Sequence, residues 1–221
     1  MESLKKIGKF VSYTDQVYRE LKSAIVSGDI QQGEFLQERS IAEQLGVSRT
    51  PVREAIKRLE FEDWVETLPW KGVVVKDIDR QDIIEVFQCR YANEGFVGER
   101  VASTITDENM AELKKIKSTM EELADESRQE FINEDRKFHM HLAQLTNNSL
   151  LIHFLDRLSD QMLRFGILAV KDKVRIKETL EEHQAIIDAL ETRSPEKTKE
   201  AIQRHIDNSQ DVLLHQTKER E

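Results

Sequence analysis

The sequence is poor in glycine, proline and cysteine, which number eight, three and one among 221 residues. Because glycine and proline interrupt helices, their scarcity argues against a loop-rich or mainly β chain and favours long helices. The single cysteine, Cys89, excludes an internal disulfide and is typical of a protein of the reducing cytoplasm. No long apolar run is present, so the sequence predicts a cytoplasmic chain with neither a signal peptide nor a membrane span.

A surplus of positive charge is also missing, since the net charge is −9. That total argues against a nucleic-acid partner, but the distribution of charge matters more. Residues 1–78 carry a net charge of −1 and residues 79–221 carry −8. Between Ser48 and Arg58 the local charge is +3. This basic segment is compatible with DNA binding, although a solvated helix face would have the same composition.

Three short helices and a β-hairpin are predicted in the N-terminal third of the chain. The first helical pattern stops at Gly28, the second stops at Gly46, and Ser48 then stands as an N-cap candidate for the third helix. Two β-favouring runs follow, over residues 64–68 and 72–75. Two helices joined by a tight turn and followed by a hairpin predict a winged helix-turn-helix.

The polar face of the third predicted helix is basic. Arg49, Arg53 and Lys57 are spaced four residues apart, so they lie along one side of the helix, opposite its apolar stripe. A helix in the major groove reads base edges with its N-terminal side chains, and arginine can form a bidentate contact with guanine. Ser48 and Thr50 can donate hydrogen bonds to phosphate, as can the first amides of the helix. The pattern therefore predicts a DNA-reading helix.

The segment from Leu36 to Leu59, LQERSIAEQLGVSRTPVREAIKRL, resembles the signature of the GntR family of bacterial transcriptional regulators. The resemblance implies that DNA is contacted by Arg39, Ser48, Arg49, Thr50, Arg53, Lys71 and Gly72. Gly72 would lie at the tip of the wing. Many relatives have arginine just before that glycine, whereas this chain has Lys71, which keeps the charge but lacks the planar fork.

From Asp79 onward, glycine and proline nearly vanish and helical periodicity dominates. We predict helices near residues 79–103, 106–126, 129–146, 148–170, 173–192 and 195–217, packed as an antiparallel bundle of six or seven helices. The predicted fold class is thus mainly α, with two domains. Residues 1–78 form a winged helix-turn-helix for DNA, and residues 79–221 form an all-helical domain for effector binding, metal binding and dimerisation.

Four residues of the second domain have the spacing of a metal site. Asp135 and His139 are four residues apart on one helix, and His183 and His205 lie 11 residues before and after the turn at Ser194. If the two helices form an antiparallel hairpin, the imidazoles of His183 and His205 would lie at the same height along it. One carboxylate and three imidazoles predict a divalent metal site, with Zn²⁺ as the first choice and Ni²⁺ or Mn²⁺ as alternatives. The alternative to a metal site is that these histidines are ordinary polar residues of amphipathic helices and bind no metal.

The run Asp135–His139, together with Asn148, His183 and His205, resembles the effector domain of the FadR-like GntR subgroup. Many members of that subgroup hold a metal with one aspartate and three histidines, so the resemblance implies the same four ligands here. A six-coordinate ion would keep open positions for a carboxylate effector. Further donors to that carboxylate would come from Arg90, Asn148 and Arg164, for which surface salt bridges or helix capping are the alternative roles.

These features together predict a transcriptional repressor that binds a palindromic operator in double-stranded DNA as a homodimer. A dimer would place its two recognition helices about 34–36 Å apart. A small organic acid bound near the metal would control DNA binding. We expect no membrane partner. A direct metal sensor is the first alternative, and a metal-dependent hydrolase is a distant one because no general base is obvious. We therefore do not expect an enzyme.

Overall fold

The computed structural model describes residues 12–169 and 173–218, apart from the side chains of residues 164, 166–169, 217 and 218. The chain divides into two compact units, the first ending at Asp77 and the second beginning at Ile78. We call them the N-terminal unit and the C-terminal unit. Among the described residues, no helix is both long enough and apolar enough to cross a bilayer.

The N-terminal unit has helices and a small sheet in the order α1 (Tyr13–Ser27), β1 (Phe35–Leu36), α2 (Glu38–Leu45), α3 (Arg49–Phe61), β2 (Val65–Leu68) and β3 (Gly72–Val75). The sheet is antiparallel, with β3 in the centre. Helix α1 ends at Gly28 and α2 ends at Gly46, and both glycines have the positive φ that suits a helix C-terminus. A single core joins the helices to the sheet through Leu21, Val52, Leu59, Trp64 and Val75.

The predicted winged helix-turn-helix is confirmed, with one addition. Strand β1 was not predicted, yet Phe35 and Leu36 pair with Val74 and Val73 of β3. Two residues are too few to show the alternation that identifies a strand in a sequence.

The described part of the C-terminal unit consists of α4 (Arg80–Ala102), α5 (Asp107–Leu123), α6 (Arg128–Leu145), α7 (Ser149–Ala169), α8 (Lys173–Glu191) and α9 (Pro195–Lys218). Each of these helices begins and ends within three residues of the predicted bounds, because helix-capping residues can be recognised in the sequence. Asp79 accepts from the Asp82 amide at 2.7 Å, and Asp82 accepts from the Asp79 amide in return. Thr106 and Ser127 cap the next two helices in the simpler way.

The core of this unit includes buried residues from all six helices, among them Phe87, Leu113, Phe138, Leu155, Ile186 and Ile206. Helix α4 packs closely along α9, and small residues permit the approach. A Cβ atom at Gly98 would lie 2.5 Å from Cδ1 of Ile202 and 3.2 Å from Cγ2 of Thr198, both of which are buried. A Cβ atom at Gly95 would meet only the side chain of Gln203, at 2.9 Å from Nε2.

We expect substitution by alanine to have different effects on stability at these two glycines. Gly98→Ala should lower the free energy of unfolding by about 1–3 kcal/mol through overpacking, which exceeds the helix propensity that alanine adds. Gly95→Ala should be neutral or stabilise by up to about 1 kcal/mol, because the half-exposed Gln203 side chain can move aside. Urea unfolding followed by circular dichroism measures both. Equal shifts for the two variants would contradict the close approach at Gly98.

Candidate metal centre and DNA-binding face

The structure brings the four predicted metal ligands together. Helix α6 supplies Asp135 and His139, α8 supplies His183 and α9 supplies His205, and one ligand atom from each lies within 4.8 Å of all the others. Nε2 of His139 is 3.2 Å from Nε2 of His205, and Nε2 of His183 is 3.3 Å from Oδ1 of Asp135. All three imidazoles are buried. The remaining histidines, at positions 141, 153 and 215, are not part of this cluster.

An oxygen atom lies near Nδ1 of each imidazole; it is a hydrogen-bond partner of His183 and His205, whereas for His139 it is in an ion-pair contact only. The three oxygen atoms lie 2.6–2.8 Å from Nδ1 and are Oε2 of Glu94 for His139, the carbonyl oxygen of Thr179 for His183 and Oε2 of Glu182 for His205. A hydrogen on Nδ1 leaves the lone pair of Nε2 free, and that lone pair is what a metal binds. Nε2 of His183 is buried and makes no hydrogen bond to any described residue.

The charge states of the cluster also suit a cation. Burial, followed by the neighbouring imidazole of His205, lowers the pKa of His183 to about 3, so this ring is neutral at physiological pH. Burial opposes ionisation of Asp135, but the surrounding histidines, when protonated, and the guanidinium of Arg90 lower the pKa of this carboxyl. Three imidazole nitrogens beside a carboxylate match the donor set of a divalent metal. The four residues therefore fit a divalent cation.

Two arginine–glutamate pairs support the histidines. Nε of Arg90 donates to Glu94 at 2.5 Å, and both terminal nitrogens of Arg175 donate to Glu182 at 2.8 Å. Burial raises the pKa of Glu182, but hydrogen bonds from His205 and Arg175 prevail and bring it to about 2. The sequence analysis did not identify Arg175 or Glu182 as site residues. The available signal was their spacing of seven residues, which places both on one face of α8.

A cavity of about 70 Å³ lies against the cluster. Its polar wall includes Arg90, Asp135, Arg136, His139, Arg175 and His205, and its apolar wall includes Phe131, Leu155 and Met162. At about 10–15 Å³ for each water, the space corresponds to roughly five water molecules or a small organic molecule. None of the hydrogen bonds between Arg90 and other described residues uses Nη1. This buried guanidinium therefore keeps donors for a ligand in the cavity.

The predicted effector-binding residues have different locations. Arg90 lines the cavity, whereas Asn148 is not among the described residues that line it. Oδ1 of Asn148 instead accepts a hydrogen bond from the Leu151 amide at 3.2 Å and caps α7, which is the alternative role considered for it. The side chain of Arg164 lies outside the described residues. Arg136 and Arg175 line the cavity but were not predicted to bind the effector.

The seven predicted DNA contacts all lie on the surface of the N-terminal unit. Arg49 and Arg53 project from the first turns of α3 with 61% and 53% of their side chains exposed. Ser48 occupies the N-cap position of α3 but makes no capping hydrogen bond, so its hydroxyl does not occupy the first amides of the helix. Lys71 and Gly72 lie at the β2–β3 turn, beside the fully exposed Trp70. The basic face thus points to solvent.

Comparison with known proteins identifies both units. The FCD domain matches residues 85–208, which is more than half of the chain, and the bacterial regulatory proteins of the gntR family match residues 13–75. The chain belongs to the GntR family. A GntR-family relative, the gluconate operon transcriptional repressor of Bacillus subtilis, is 31% identical over 206 residues, which cover 90% of this chain and 84% of the relative.

Two further similarities extend over nearly the whole chain. The HTH-type transcriptional regulator YdhC of Bacillus subtilis is 26% identical over 95% of both chains. The structure of McbR/YncC from Escherichia coli superposes with a TM-score of 0.79 and 24% identity, covering 94% of this chain and all of that chain, and so shows the same fold. GntR-family proteins with an FCD domain are transcriptional regulators that bind operator DNA, so this chain is a regulator and not an enzyme.

Proposed function

We propose that this GntR-family regulator is a repressor whose binding to operator DNA is controlled by a small carboxylate bound beside a divalent metal. The observation that carries the proposal is the position of the Asp135 and histidine cluster, which opens onto a cavity containing three arginines. Cationic side chains beside a metal are what a small organic anion requires. The role as a repressor is supported by the gluconate operon repressor among the relatives.

In this proposal Asp135, His139, His183 and His205 hold the ion, with Zn²⁺ the first candidate because imidazole nitrogen predominates among the donors. The bound ion would supply a Lewis-acidic position for a carboxylate oxygen. Arg90 would orient the same carboxylate through Nη1, which Glu94 leaves free. Glu94 and Glu182 would keep the imidazoles of His139 and His205 in the binding orientation.

The DNA-binding half of the proposal rests on the exposed basic face of α3. A homodimer would present two copies of this face to the half-sites of a palindrome, which doubles the limited surface of one helix-turn-helix. The effector would regulate binding only if the dimer had two arrangements that space its DNA-binding faces differently and the effector bound them with different affinities.

One experiment tests the whole proposal. Duplexes selected by the protein from a random-sequence library are labelled, and their affinity is measured by fluorescence anisotropy with Zn²⁺-loaded protein, with chelator-treated protein and with a panel of small organic acids. We expect at least one acid to change the affinity of the loaded protein by about tenfold, a usual size for coupling between two sites, and to leave the chelated protein unaffected. A full change on chelation alone would instead identify a direct metal sensor.

A further inference from the structure

One carboxylate connects two of the arginines that are predicted to contact DNA. Glu38, the first residue of α2, accepts from Nη2 of Arg49 at 3.0 Å and from Nε and Nη2 of Arg53 at 3.0 and 2.9 Å. Hydrogen bonds from both arginines, led by that of Arg53, lower the pKa of Glu38 to about 2. The carboxylate is therefore ionised at every physiological pH, and it places a negative charge on the surface that is proposed to face DNA.

The geometry of these bonds leaves the arginines able to read bases. A guanidinium has two edges that can each make a pair of hydrogen bonds. Glu38 occupies the Nε–Nη2 edge of Arg53 and leaves the edge formed by Nη1 and the second hydrogen of Nη2. Of Arg49 it uses only Nη2. The free edge of Arg53 is the fork that a bidentate contact with guanine O6 and N7 requires.

We propose that Glu38 is a specificity-determining residue of the DNA-binding face. It holds Arg49 and Arg53 in the orientation that suits base edges, and its charge repels phosphates when the base contacts are absent. Like-charge repulsion against the wrong ligand is a recognised source of specificity. The inference rests on the DNA binding proposed above and adds the residue that sets base discrimination.

An exposed ion pair contributes little to stability, so the role of Glu38 is best measured on DNA. Glu20 of α1 provides a control, because it is an exposed glutamate of the same unit and, among the described residues, makes no ion pair with a predicted DNA contact. Glu38→Gln and Glu20→Gln remove the same charge. Each variant is used to select duplexes from a random-sequence library, and its affinity is then measured for the wild-type selected duplex and for calf-thymus DNA.

We expect Glu38→Gln to bind calf-thymus DNA at least as tightly as the wild type while its ratio of selected to calf-thymus affinity falls by about tenfold, within the range for one base contact. Glu20→Gln should keep that ratio within about twofold. Glu38→Asp retains the charge but shortens the side chain, so it should lower the ratio without strengthening binding to calf-thymus DNA.

Equal ratios for Glu38→Gln and Glu20→Gln would overturn the inference, since the effect would then be one of charge alone. Thermal melts of all three variants check that the N-terminal unit is intact. If the wild-type protein enriches no duplex, the proposed DNA binding itself fails and this inference fails with it. If the wild type enriches a duplex and Glu38→Gln keeps full discrimination, only the role of Glu38 is lost.

Discussion

Replacing His183 by alanine should raise the dissociation constant for Zn²⁺ by at least about 100-fold, because changes to mere outer-sphere partners of metal ligands already cost 10–100-fold. His183 is the most deeply buried of the three histidines, and its Nε2 has no hydrogen-bond partner among the described residues. The thermal stabilisation that Zn²⁺ gives the wild type should disappear as well. Competition with a chromophoric chelator, starting from metal-free protein, measures the affinity.

Two milder substitutions keep this prediction testable if the alanine variant unfolds. Glu182→Gln preserves the size of the side chain that holds His205, and we expect it to weaken Zn²⁺ binding by about 10–100-fold. Glu178→Gln is the matched control. Glu178 also contacts Arg175, at 3.5 Å, but its side chain is about half exposed and it does not belong to the cluster of metal ligands. Wild-type affinity in both His183→Ala and Glu182→Gln would exclude the cluster as the metal site.

The histidine cluster could be predicted because its geometry depends on local rules. Asp135 and His139 share a face through the pitch of one helix. His183 and His205 meet through the antiparallel pairing of two helices around a short turn, and their ring centroids are 4.8 Å apart. Helix pitch and a short connection are both visible in a sequence. The same holds for the helix bounds, which follow from capping residues such as Asp79 and from Gly28 and Gly46.

The cavity wall could not be predicted in the same way, because it depends on which faces of distant helices meet. Arg136 and Arg175 contribute to it from α6 and α8. The seven-residue spacing of Arg175 and Glu182 places both on one face of α8, but a pair on the protein surface would have the same spacing. Asn148 shows how a local role can be found where a ligand-binding role was predicted. An asparagine just before a helix is a usual N-cap, and the bond that its side chain makes to the Leu151 amide is local. The family resemblance implies a ligand-binding role for Asn148, which stays a prediction, and the structure shows the capping role.

Replacing Arg53 by alanine should weaken binding to the selected duplex by about 5–150-fold, the range for loss of one bidentate base contact. The side chain is half exposed and bonds only to Glu38 among the described residues, so the stability of the N-terminal unit should hardly change. Fluorescence anisotropy at several salt concentrations measures the loss. Unchanged affinity would mean that Arg53 does not touch DNA.

Arg53→Lys separates reading of bases from attraction to phosphate. Lysine keeps the positive charge but has no planar fork, so the variant should bind calf-thymus DNA as the wild type does and lose preference for the selected duplex. If Arg53 contacted only phosphate, the lysine variant would keep its preference, and the alanine variant would lose affinity equally for all sequences with a smaller dependence on salt. The free Nη1–Nη2 edge of Arg53 favours the first outcome, because that edge matches guanine and Glu38 already fixes the other.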